Sequence, residues 1–79
     1  MVQKENELAA CVRKAVTDYF KHLDGAKPGA VYDMVIGNVE KPLIETVLRQ
    51  AEGNQTHAAE ILGINRNTLR KKMQMYRIK

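Results

Sequence analysis

The chain has one cysteine, one phenylalanine and no tryptophan. A single cysteine excludes an internal disulfide and suits a reducing compartment. Cys11 lies among Leu8, Val12, Ala15 and Val16, a setting that reads as a small buried hydrophobe rather than a reactive thiol. His22 and His57 are far apart, with no Cys/His cluster beside either, so neither a metal nor another cofactor is expected. No apolar run approaches the length of a membrane span. No apolar signal region follows Met1. A soluble cytoplasmic chain with no membrane partner is therefore expected. Gly-rich phosphate loops and nucleophile–base pairs are also missing, which argues against an enzyme. Glu40 and Glu45 read as solvated helix residues.

At 79 residues the chain is expected to be a single domain, residues 1–79. A domain this small buries only about 60–65% of its unfolded surface. Disulfides and metals being excluded, association with a second copy is the remaining source of burial.

Charge is unevenly placed. Residues 1–52 hold seven Lys/Arg and eight Asp/Glu, for a net −1. Residues 53–79 hold six Lys/Arg against Glu60 alone, for a net +5. A basic block joined to a near-neutral one implies a scaffold with a polyanion-binding end.

Hydrophobic spacing divides the chain into helices. Over residues 7–23, Leu8, Val12, Ala15, Val16, Tyr19, Phe20 and Leu23 recur with helical period. Asp24-Gly25 ends that segment. Residues 30–52 form a second helix whose apolar positions cover more than one stripe, which predicts burial on two sides. Pro42 falls inside it and cannot donate to the Asn38 carbonyl, so a kink is expected there rather than two separate helices. Tyr19, Phe20 and Tyr32 sit in these stripes and read as core rather than stacking platforms.

Gly53-Asn54 breaks the pattern. Asn54 is a candidate N-cap for a helix over residues 55–62. Gly63 supplies the left-handed conformation of a sharp turn, and Asn65 caps a last helix over residues 66–76. Two short helices around a glycine turn make a helix-turn-helix. Ala58 and Ala59 allow close approach, while Ile61, Leu62 and Ile64 are expected to pack around the turn. Leu69, Met73 and Tyr76 face inward.

At helical steps from Leu69, Asn67, Arg70, Lys71 and Gln74 fall on the opposite side, with Arg66 and Thr68 on the flanks. This is the arrangement of a recognition helix, which reads base edges with its first turn and phosphates with its flanks. Arg66 is the base-edge candidate, because its fork matches the two acceptors of guanine. Asn65 is open between cap and base contact. Thr68, Arg70 and Lys71 read as phosphate or mixed contacts. The start of the preceding helix, Asn54-Gln55-Thr56, is a phosphate seat, and His57 reads as an exposed neighbour without a dedicated role. Lys72 points toward the side of the inward face.

The run 53-GNQTHAAEILGINRNTLRKKM-73 resembles the DNA-binding end of the Fis family, the bacterial factors for inversion stimulation. It is also similar to the C-terminal domain of NtrC-like activators. The likeness extends upstream through Val39-Glu40-Lys41-Pro42-Leu43 and Tyr19-Phe20, over residues 8–77. It implies an all-α fold with four helices per subunit. The first two, about residues 7–52, would intertwine with those of a second copy, and residues 53–79 would carry the helix-turn-helix. It implies a homodimeric, nucleoid-associated transcriptional regulator that binds and bends double-stranded DNA with modest sequence preference. By motif position the DNA contacts would be Asn54, Gln55, Thr56, Asn65, Arg66, Thr68, Arg70 and Lys71.

Three departures stand out. Members that stimulate inversion carry a longer N-terminal arm than the roughly seven residues before the first helix here, so recombinase contact is not implied. Gln74 and Met75 stand where enteric members have lysines, which predicts weaker phosphate attraction at the helix end. Asn67 replaces a glycine beside Arg66. The alternatives are the DNA-binding domain of an NtrC-like activator, or a helical adaptor for protein partners.

Overall fold

The computed structural model describes residues 5–79; the polar start at residues 1–4 lies outside them. Among the described residues there are four α-helices and no strand: α1 Glu7–Lys21, α2 Val31–Gln50, α3 Gln55–Leu62 and α4 Arg66–Met75. None is long and apolar enough to cross a membrane. The chain forms two units, one ending at Val35 and the other comprising Ile36–Lys79.

In the first unit, Asn6 caps α1 by accepting a hydrogen bond from the Ala9 N–H at 2.8 Å. The helix stops at Lys21, two residues short of the expected end. A turn through Asp24 and Gly25, both with positive φ, carries the chain away. Ala30 also has positive φ, at 54°, so α2 starts one residue later than its apolar pattern implied.

The amphipathic stripe of α1 is present, yet no residue of α1 is buried. Cys11 is exposed, not buried as its apolar neighbours implied. The aromatic residues correct the sequence reading in the same way. Tyr19 and Phe20 meet edge to face with ring centroids 5.5 Å apart. Tyr19 is half-buried, but Phe20 is 50% exposed and Tyr32 75%. A single helix cannot bury its own stripe; periodicity identifies the face, while burial needs a second surface laid over it.

Pro42 lies inside one continuous α2, as the lack of other turn residues around it implied. The helix ends at Gln50, because Glu52 and Gly53 both take left-handed backbone, at φ 54° and 82°. The Gly53 N–H reaches back to the Leu48 carbonyl at 2.9 Å, and the Glu52 N–H to Arg49 at 3.1 Å, the pairing of a Schellman cap.

The second unit holds the core: Ile44, Leu48, Ala51, Ala58, Ala59, Leu69 and Met73 are buried. Ile44, Leu48 and Ala51 recur at i, i+4, i+7 along one face of α2. Ala58 and Ala59 put only methyl groups where α3 meets its neighbours. Leu69 and Met73 hold α4, with Tyr76 and Ile78 packed against the same cluster. Leu43, on another side of α2, stays half exposed. Ile61 is 51% exposed and does not join the core, whereas Leu62 and Ile64 do pack against it. On the helical wheel Ile61 falls roughly a quarter-turn from the direction shared by Ala58, Ala59 and Leu62.

Candidate nucleic-acid interface

The turn between α3 and α4 is built as the sequence implied. Gly63 sits at φ 75°. Its N–H donates to the Glu60 carbonyl, and the Ile64 N–H donates to Ala59 at 3.0 Å, closing a second Schellman cap. A side chain at position 63 would meet no neighbour, so the left-handed backbone is what requires glycine there.

Both helix starts are capped by asparagine. The Asn54 side-chain oxygen accepts from the His57 N–H at 3.1 Å, and the Asn54 carbonyl accepts from Ala58. These bonds leave the N–H groups of Gln55 and Thr56 at the head of α3, where the helix dipole favours an anion. Asn65 accepts from the Asn67 N–H at 2.7 Å through its side-chain oxygen. That oxygen therefore serves as the cap, and the amide nitrogen of Asn65 remains a separate donor.

The eight candidate contacts all lie in the second unit, at and after the two capped helix starts. Asn54, Thr56, Asn65, Arg66, Thr68, Arg70 and Lys71 are exposed; Gln55 is half-buried. Among the described residues Arg66, Arg70 and Lys71 enter no ion pair. His57 is exposed beside the α3 cap.

Lys72 differs from these three. Its ammonium lies 2.9 Å from one carboxylate oxygen of Glu40 and 3.1 Å from the other. The Tyr76 hydroxyl donates to the same carboxylate at 2.6 Å. Glu40 is thus not a solvated helix residue: its carboxylate joins α2 to α4 across 32 and 36 residues of sequence. The Tyr76 hydrogen bond first, and the Lys72 ammonium second, hold the Glu40 carboxyl below the usual carboxylate range, with burial opposing them. A carboxylate depressed in this way contributes stability that is full above its unfolded value, about 4.3, and is lost as pH falls through the lower folded value. Glu40→Gln is therefore expected to lower Tm at pH 7 and to flatten the decline of Tm on acidification. Tyr76→Phe should cost about 1 kcal/mol at pH 7. Thermal melts of the three proteins between pH 3 and 7 read this directly; parallel curves for Glu40→Gln and wild type would remove Glu40 from the acid limb.

A cation cluster with one member paired to Glu40 of α2 and three left outward, beside two capped helix starts, defines a helix-turn-helix surface that faces solvent. A model described as "Bacterial regulatory protein, Fis family" matches residues 35–76, almost the whole of the second unit. The chain is 51% identical over 71 residues to a Fis-like DNA-binding protein of Ralstonia nicotianae, covering 90% of this chain and 92% of that one. It is 51% identical over 67 residues to one of Neisseria meningitidis serogroup A, covering 85% of each. It is 50% identical over 74 residues to one of Pseudomonas aeruginosa, covering 94% of this chain and 71% of the relative. The chain belongs to the Fis family of bacterial regulatory proteins.

Proposed function

We propose that this chain, as a single domain, binds double-stranded DNA as a homodimer. Each copy presents α4 to a major groove and the start of α3 to the phosphate backbone. The observation that carries the reading is the outward set Arg66, Arg70 and Lys71, outside every ion pair among the described residues, beside the capped starts of α3 and α4. The description of the relatives as DNA-binding supports it.

Arg66, in the first turn of α4, reads base edges. Asn54, Gln55, Thr56, Thr68, Arg70 and Lys71 hold phosphates, and Asn65 sets the start of α4 while its amide nitrogen faces the groove. The two recognition helices of the dimer sit closer together than one turn of straight duplex, so the DNA bends. Sequence preference then comes from the Arg66 contact, with deformability adding a readout at bases the protein never touches, and is modest. The protein acts as a nucleoid-associated transcriptional regulator in the cytoplasm, without cofactor or catalytic step.

Binding to a duplex of random sequence should weaken steeply with salt, with the logarithm of affinity falling by about 0.9 per phosphate neutralised for each unit of log salt. Circularly permuted fragments should show a bend centred on the bound site. Complexes insensitive to salt would point instead to a protein adaptor, and unbent complexes would remove the bending.

A further inference from the structure

We propose that Arg77 and Lys79 form a second phosphate-binding edge, which holds the DNA backbone flanking the segment read by α4. The proposal rests on the DNA-binding reading and extends it beyond the eight residues of that surface. Arg77 and Lys79 border an open depression together with Arg70 and Gln55, over a floor of Met73 and Ile78. Arg70 and Gln55 belong to the proposed DNA surface; the depression is continuous with it and carries two more cations. Arg77 and Lys79 are exposed, and among the described residues neither enters an ion pair. A duplex carries a negative charge about every 1.7 Å along its axis, so a cationic surface that runs past one phosphate seat meets further phosphates.

The backbone at Arg77 points the same way. Arg77 is the residue just past the end of α4 in a third Schellman cap: its N–H donates to Gln74 at 3.2 Å, and the Ile78 N–H to Met73 at 2.8 Å. Its φ is 54°, a conformation glycine adopts without strain and arginine does not. The cap needs no side chain at this position, so the arginine opposes the local backbone preference while placing a cation on the depression. The two ordinary roles of the residue, helix termination and cation display, therefore respond in opposite directions to one substitution.

Arg77→Gly is expected to raise Tm by about 5 °C through relief of the left-handed strain. The same variant should bind a long duplex roughly threefold more weakly at moderate salt, with a salt slope shallower by about one for each phosphate no longer neutralised. On a short duplex that ends with the core site, the variant and wild type should bind alike. Arg77→Asn, which tolerates the same backbone, and Lys79→Ala should reproduce the length-dependent weakening. Fluorescence anisotropy with the two duplexes across a salt series, beside thermal melts of the free proteins, reads all of this. An Arg77→Gly protein that melts higher yet binds both duplexes like wild type, with the same salt slope, overturns the flanking edge and leaves the proposed function standing. An equal weakening on both duplexes also overturns it, by placing Arg77 inside the core site. Failure of the wild-type protein to bind either duplex would overturn the proposed function itself.

Discussion

Arg66→Ala is expected to lower affinity for a preferred duplex by roughly 10- to 100-fold and to erase most of the preference over other sequences. Its melting temperature should stay near that of wild type. A well-placed arginine on a guanine is worth about 1–3 kcal/mol of discrimination, on the order of 10- to 100-fold. Nothing in the fold compensates for or depends on this side chain: Arg66 is exposed, enters no ion pair among the described residues and lies outside the buried cluster. Its helix is held by Leu69 and Met73, and its cap is supplied by Asn65. The effect should therefore appear in binding alone. Lys71→Ala is the contrasting variant. A phosphate contact carries no sequence information, so it should weaken all duplexes by a similar factor and lower the salt slope. Competition binding with preferred and random duplexes separates the two. A uniform weakening for Arg66→Ala would reassign it to the backbone, and unchanged affinity would remove it from the interface.

The reach of the sequence depended on the range of the interaction. Gly63, Asn54 and Asn65 act within four residues of themselves, so their caps and the turn were legible from residue type alone. The phase of α4 was equally local: counting from Leu69 put Arg70 and Lys71 outward, and both are exposed. What escaped lies at longer range. Glu40 looked solvated because its partners are more than thirty residues away, and no local pattern announces them. The same contact resolves Lys72, whose phase alone left it on the border between inside and outside. The exposure of Cys11, Phe20 and Tyr32 marks a different limit. Periodicity shows that a face is apolar, but not whether the same chain covers it. Helix ends erred by one or two residues wherever a non-glycine residue, such as Ala30 or Glu52, took the left-handed conformation.

That uncovered face leads to the second large effect expected, which is on assembly. Leu8 is 63% exposed and Phe20 50%, on a helix with no buried residue, and Leu43 leaves a further side of α2 partly open. The buried cluster is confined to Ile36–Lys79, close to the size of about 40 residues below which domains seldom fold unaided. Covering these side chains with a second copy would supply the missing burial, at about 1.5–3 kcal/mol for each large apolar side chain fully removed from water. Folding and dimerisation should then be one transition. Each tenfold dilution should lower the apparent stability by about 1.4 kcal/mol, and Tm should fall with it. Phe20→Asp, which puts a charge on the apolar face, should break the dimer, lower Tm sharply and weaken DNA binding with Arg66 intact. Sedimentation equilibrium together with melts across a hundredfold concentration range tests this. A wild-type species of 9.0 kDa whose Tm ignores concentration would mean that the face is covered by something other than a second copy. The two large effects then separate cleanly: Arg66→Ala should remain a stable dimer that fails to discriminate DNA, and Phe20→Asp should lose binding because the paired recognition helices are no longer held together.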